Sequence, residues 1–87
     1  MNKEVFKNRF KQLDNLAKKY KWIYVSVCNK TFRATYKDDM SIFRVDVYLS
    51  KMTICLHRTG EDPIYFRKKN FKTVENILKN PFQLKTT

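Results

Sequence analysis

The 87-residue sequence contains one glycine, Gly60, and two prolines, Pro63 and Pro81. So few chain-breaking residues exclude a linker or low-complexity tract, and they leave residues 1–87 as a single small domain. No apolar run approaches the roughly 20 residues of a membrane-spanning helix, and the N-terminus lacks the apolar stretch of a signal peptide. We therefore expect an intracellular protein, cytoplasmic or nuclear, without a membrane span.

Soft metal ligands are also scarce. The chain has two cysteines, Cys28 and Cys55, and one histidine, His57. The cysteines lack the Cys-x-x-Cys spacing of a zinc site, and two of them do not make a disulfide framework. The sequence therefore predicts two reduced thiols, with no metal and no cofactor.

Acidic residues are few: eight Asp and Glu stand against 19 Lys and Arg, for a formal charge of +11. A field of this size favours polyanionic partners, such as nucleic acid or an anionic membrane surface. The excess is uneven, with +5 on residues 1–21, +1 on residues 22–50 and +5 on residues 51–87. Charge alone thus favours a nucleic-acid partner, RNA or DNA.

The hydrophobic pattern changes its period along the chain. Apolar residues recur every three or four positions over residues 3–20, which predicts a helix, and the same spacing over 70–80 predicts a second helix that Pro81 ends. Between them the period is two. The segments rich in β-branched and aromatic residues are 22–28, 31–37, 42–49, 52–58 and 64–68. The predicted fold is α+β: an N-terminal helix, an antiparallel meander of four to five strands and a C-terminal helix form a two-layer sandwich, and residues 82–87 form a loose tail.

Hairpin connections sort the strand residues onto two faces. A turn at Ser50-Lys51 places Val47 opposite Ile54, and one at Asn29-Lys30 places Val25 opposite Ala34. The apolar set faces both helices, so the other face is left open. Its rings and basic groups predict contacts with nucleic acid, because aromatic rings stack on unpaired bases and arginines pair with phosphates. The open-face residues predicted to bind are Trp22, Tyr24, Arg33, Arg44, Tyr48, Tyr65 and Arg67.

A second basic group lies at the start of the last helix, in FRKKNFK (residues 66–72). There Arg67 is joined by Lys68, Lys69 and Lys72, where free N–H groups and the positive end of the helix dipole favour an anion. The helix–strands–helix order with the Lys68-Lys69 pair resembles the double-stranded-RNA-binding domain. That resemblance implies that these lysines grip phosphates. It covers element order and this pair only.

Catalysis has one candidate arrangement: His57 as a base, with Glu61 and Asp62 holding Mg²⁺, would make a small basic ribonuclease. Acidic pairs in predicted connections are, however, ordinary turn residues. We expect a non-enzymatic nucleic-acid-binding module. One alternative is a structural or adaptor subunit, whose open face forms a homodimer or docks on a protein partner; the ribonuclease is the other. Sequence-independent attraction is expected from Lys3, Lys7, Lys11, Lys68, Lys69 and Lys72.

Overall fold

The computed structural model describes residues 1–84, and the side chains of residues 1–82. Five strands form one antiparallel sheet in the order β1-β2-β3-β4-β5, with a helix before it and a helix after it. This confirms the predicted α+β fold. The elements are α1 (Lys3–Lys19), β1 (Ile23–Cys28), β2 (Arg33–Lys37), β3 (Phe43–Tyr48), β4 (Thr53–Arg58), β5 (Ile64–Phe66), α2 (Phe71–Lys79) and a 3-10 turn (Pro81–Leu84).

An asparagine caps the N-terminus of each helix. The side chain of Asn2 accepts a hydrogen bond from the Val5 N–H at 2.9 Å, and that of Asn70 accepts one from the Thr73 N–H at 3.1 Å. A short polar side chain at this position satisfies one of the backbone donors that the first helical turn leaves without a partner. The helix boundaries therefore fall within one residue of the predicted ones.

The core lies between the two helices and one face of the sheet. Helix α1 buries Leu13 and Ala17 there, and α2 contributes Val74, Ile77 and Leu78. Alternate residues of each strand point to the helices, so their neighbours point away. Within residues 1–84, that opposite face has no helix over it. The buried strand residues of the core are Ala34, Tyr36, Phe43, Val45, Val47, Ile54 and Leu56.

The centre of the sheet has the predicted register, since Val47 pairs with Ile54 across β3 and β4. The loop between these strands is longer than the predicted two-residue turn and covers residues 49–52. Met52 has a positive φ of 53° there, which turns the chain into β4. The residues of β3 and β4 still pair as predicted, so each of them faces the predicted side of the sheet.

Strand β1 departs from the prediction because it contains a β-bulge around Val25. The connection between β1 and β2 covers residues 29–32 instead of the predicted two-residue turn, so Val27, and not Val25, pairs with Ala34. Beyond the bulge, Tyr24 pairs with Tyr36. An extra residue in one strand reverses the faces of the residues that precede it. Tyr24 therefore lies on the helix side of the sheet, and Val25 is exposed.

The chain continues after α2 into the turn Pro81–Leu84, where the Phe82 ring packs edge-on against Phe43 at a centroid distance of 4.9 Å. Residues 85–87 of the predicted loose tail lie outside the described residues. In the part of the chain described, neither helix has the length and apolarity needed to cross a bilayer.

Candidate nucleic-acid interface

The strand registers arrange the uncovered side of the sheet in three rows that run across the strands. At one end Arg33, Tyr48 and Thr53 lie side by side. Thr35, Asp46, Cys55 and Tyr65 form the central row, and Lys37, Arg44 and His57 form the third. We call this surface the open face. Its members in strands β2 to β5 are Arg33, Thr35, Lys37, Arg44, Asp46, Tyr48, Thr53, Cys55, His57 and Tyr65.

The structure places Arg33, Arg44, Tyr48 and Tyr65 together on the open face. The side chain of Arg44 is 53% exposed, and Tyr65 is also 53% exposed. Arg33 lies opposite Tyr48, and its buried Nε has no hydrogen-bond partner among the described residues. Basic groups and rings thus share one accessible surface.

Trp22 is not part of that surface, so its predicted place there is wrong. Only 7% of Trp22 is exposed, and its indole N–H donates to the Leu78 carbonyl at 2.9 Å. Lys21, with a φ of 61°, turns the chain between α1 and β1, and strand β1 begins only at Ile23. The indole therefore packs in the core and caps a carbonyl in the last turn of α2.

The predicted place of Tyr24 is wrong for a different reason. The bulge in β1 turns its ring to the helix side, where it packs edge-on against Tyr36 at 5.8 Å and Phe10 at 6.4 Å between centroids. Two of the predicted aromatic contacts are thus lost from the open face. Tyr48 and Tyr65 remain.

These two tyrosines line one groove of about 380 Å³ at an end of the open face. The Arg67 guanidinium lies 5.3 Å from the centre of the Tyr65 ring, within the range of a cation–π contact. An unstacked base can stack on the aromatic rings that line such a groove, and its phosphate can pair with the basic groups at the edge. We call this feature the tyrosine groove; its lining is Thr31, Tyr48, Ser50, Lys51, Thr53, Tyr65 and Arg67.

Three connections meet at the same end of the sheet as the tyrosine groove, because alternate turns of a meander lie at alternate ends. They are residues 29–32, 49–52 and 67–70. The Leu49 N–H donates to the Phe32 carbonyl at 2.8 Å and joins the first two connections. The Lys69 N–H donates to the Met52 carbonyl at 3.0 Å and joins the second connection to the third. The three connections therefore form one continuous surface.

This surface, which we call the basic end, carries five basic side chains and no acidic one. The connections at the other end, residues 38–42 and 59–63, carry four acidic side chains. Charge is thus polarised along the strand direction. The basic end comprises Lys30, Lys51, Arg67, Lys68 and Lys69, and the opposite acids are Asp38, Asp39, Glu61 and Asp62.

The lysines at the start of α2 divide between two positions. Lys68 and Lys69 belong to the basic end, while Lys72 is exposed in the first turn of the helix. Lys30 and Lys51 join the first pair from distant parts of the chain, and sequence reasoning did not select them. They could have been found from the sequence, because the predicted meander already places the turns that carry Lys30 and Lys51 at the same end of the sheet as Lys68 and Lys69.

The centre of the open face holds a polar cluster that sequence reasoning did not assemble. His57 Nε2 lies 3.4 Å from Asp46 Oδ2 and 3.1 Å from Cys55 Sγ. Burial raises the pKa of the Cys55 thiol, against the effect of the neighbouring Tyr65 hydroxyl. The contacts of His57 are thus to the open face, while Glu61, its predicted partner in a nuclease, pairs with Arg58 at 3.1 Å.

Comparison of the chain with protein-family models, with curated proteins and with solved structures finds no match in any of the three. The resemblance to the double-stranded-RNA-binding domain therefore stays limited to element order and the Lys68-Lys69 pair. Function has to be inferred from the geometry and charge of the open face and the basic end.

Proposed function

We propose that this protein is a non-enzymatic nucleic-acid-binding module that holds a single-stranded segment of RNA or DNA at one end of its sheet. The observation that carries the proposal is the position of the tyrosine groove beside the basic end. Bases would stack on Tyr48 and Tyr65, while the backbone phosphates would lie along Lys51, Arg67 and the neighbouring lysines.

The two parts of this surface supply different terms of the binding free energy. Stacking of a base on an aromatic side chain contributes about 1–3 kcal/mol and tolerates any sequence. Contacts of lysine and arginine with phosphates release counterions and make affinity depend steeply on salt. A groove lined by aromatic rings next to a cationic surface therefore suits a protein that binds single-stranded nucleic acid with little sequence preference.

A second candidate is self-association or docking on a protein partner. It is favoured by the edge strand β1, where Ile23 and Val25 are 44% and 46% exposed, and where no other strand of residues 1–84 pairs with the outer backbone groups. A homodimer of this kind would show twice the monomer mass in solution without nucleic acid. The bulge at Val25 opposes regular pairing along this edge, so we favour the first function.

The test is a titration of dye-labelled oligonucleotides, single- and double-stranded RNA and DNA, followed by fluorescence anisotropy. Emission from Trp22 is unsuitable, because this side chain is buried away from the open face. We expect Tyr65→Ala to weaken single-strand binding about 5- to 150-fold, which corresponds to one stacked base. The conservative Tyr65→Phe keeps the ring and should lose less than about threefold on the same grounds.

Two results would contradict the proposal. One is the absence of binding to any of the four probes at low salt. The other is equal affinity of the wild type and Tyr65→Ala for single strands, since it would remove the tyrosine groove from the binding surface.

A further inference from the structure

Three different metal-ligating side chains converge at the centre of the open face. One ligand atom from each of Asp46, Cys55 and His57 lies within 4.8 Å of the other two. The register of β3 and β4 places Asp46 directly opposite Cys55. His57 is two residues further along β4, and so it points to the same side of the sheet.

We propose that Asp46, Cys55 and His57 bind one Zn²⁺ ion through a carboxylate oxygen, a thiolate sulfur and an imidazole nitrogen. Zinc bonds of about 2.0–2.1 Å to N or O and about 2.3 Å to S place tetrahedral ligand atoms about 3.3–3.6 Å apart. The Nε2–Oδ2 distance of 3.4 Å falls within this range, and the Nε2–Sγ distance of 3.1 Å lies below it, so binding would move the sulfur and the imidazole apart by about 0.5 Å. Three protein ligands leave the fourth position for water.

The donor types select the metal. Thiolate and imidazole suit zinc and similar transition metals, whereas Ca²⁺ and Mg²⁺ take oxygen ligands. On binding, the Cys55 thiol loses its proton to solvent as the zinc–sulfur bond forms. No electron is transferred, so the step needs no oxidant or reductant.

A hydrogen bond already orients the carboxylate. The Thr35 hydroxyl donates to Asp46 Oδ1 at 2.6 Å, and both residues are buried. This contact holds one carboxylate oxygen and leaves Oδ2 directed at His57. Partners of this kind commonly fix metal ligands, and their loss lowers metal affinity about 10- to 100-fold.

The same atoms have a competing arrangement, in which protonated His57 forms an ion pair with Asp46. Arg44 Nη2 lies 3.8 Å from Asp46 Oδ2 and supports that pair. The Arg44 side chain is half exposed and has room to turn to solvent when a metal binds. The ion pair makes no use of Cys55, whereas a zinc site requires its sulfur.

A Co²⁺ titration separates the two arrangements, because a cobalt–thiolate bond produces a charge-transfer absorption that carboxylate and imidazole ligands do not. We expect this band to saturate at one equivalent and to be absent in Cys55→Ser. The matched control is Cys28→Ser, which removes the other thiol and should keep the band. His57→Gln and Asp46→Asn should each weaken binding at least about tenfold, and Thr35→Val about 10- to 100-fold.

Thermal unfolding with Zn²⁺ shows whether each variant folds and whether the folded state binds the metal. A hundredfold excess of Zn²⁺ over its Kd should raise the Tm of the wild type by about 10 °C or more. The Tm of Cys55→Ser should not change with Zn²⁺. The proposal is overturned if the cobalt band is absent or if it persists in Cys55→Ser. It is also overturned if the band saturates at half an equivalent of Co²⁺ per chain, because each ion would then be shared between two chains. This inference does not rest on the proposed nucleic-acid binding.

Discussion

Removing charge from the basic end should change the salt dependence of nucleic-acid binding far more than removing it elsewhere. Each phosphate contact on a single strand contributes about −0.7 to the log–log slope of affinity against salt, so five contacts give about −3.5. Between 50 and 200 mM salt the wild type should then lose affinity by about 100-fold. The triple variant of Lys51, Lys68 and Lys69 to Gln leaves two contacts, for a slope of about −1.4 and a loss of about sevenfold.

The matched control replaces Lys18, Lys21 and Lys79 by Gln. These side chains are exposed and lie outside the basic end. Both triple variants lower the formal charge from +11 to +8. Anisotropy titrations of a labelled single-stranded DNA at several salt concentrations give the slopes. Equal slopes for the two triple variants would refute the reasoning, because net charge rather than its position would then set the affinity.

Two further predictions concern the packing of the helices under the sheet. Trp22→Phe removes the hydrogen bond to the Leu78 carbonyl, and we expect the unfolding free energy to fall by about 1–3 kcal/mol. Calorimetry should record this loss as a Tm lower by about 5–20 °C. An unchanged Tm would contradict the capping role of the indole. Tyr36→Phe removes a 2.8 Å hydrogen bond to Asp14. Burial raises the pKa of this carboxyl, but the hydrogen bonds from Lys18 and Tyr36 outweigh that effect and leave the pKa below its ordinary value. A lowered folded-state pKa contributes stability above the unfolded value that is lost as pH falls, so the variant should lose about 1–2 kcal/mol at pH 7 and less at pH 3 in urea unfolding. Equal losses at the two pH values would contradict this assignment.

The helices and the central strands could be predicted because their signals are local. The spacing of apolar residues defines α1 and α2, and the alternation in β3, β4 and β5 fixes which side of the sheet each residue faces. Tyr48 and Tyr65 could be placed on the open face for this reason. The first strand could not, because Trp22 and Tyr24 follow the same alternation as a regular strand, and nothing in that alternation marks the bulge at Val25.

The functional surfaces were less predictable, because they are assembled from distant residues. A charge run such as Lys68-Lys69 is visible along the chain, whereas Lys30 and Lys51 reach the basic end only through the order of the hairpins. The spacing of Cys55 and His57 is compatible with one face of a strand. The third ligand, Asp46, joins them only through the pairing of β3 with β4.

The most direct test of strand binding at the tyrosine groove and basic end is to map the contact by NMR. Amide signals of the ¹⁵N-labelled protein would be followed as a single-stranded oligonucleotide is added at low salt. We expect the largest shifts in residues 29–32, 48–53 and 65–69. Shifts confined to the solvent-facing sides of α1 and α2, or no shifts at all, would contradict binding at this surface.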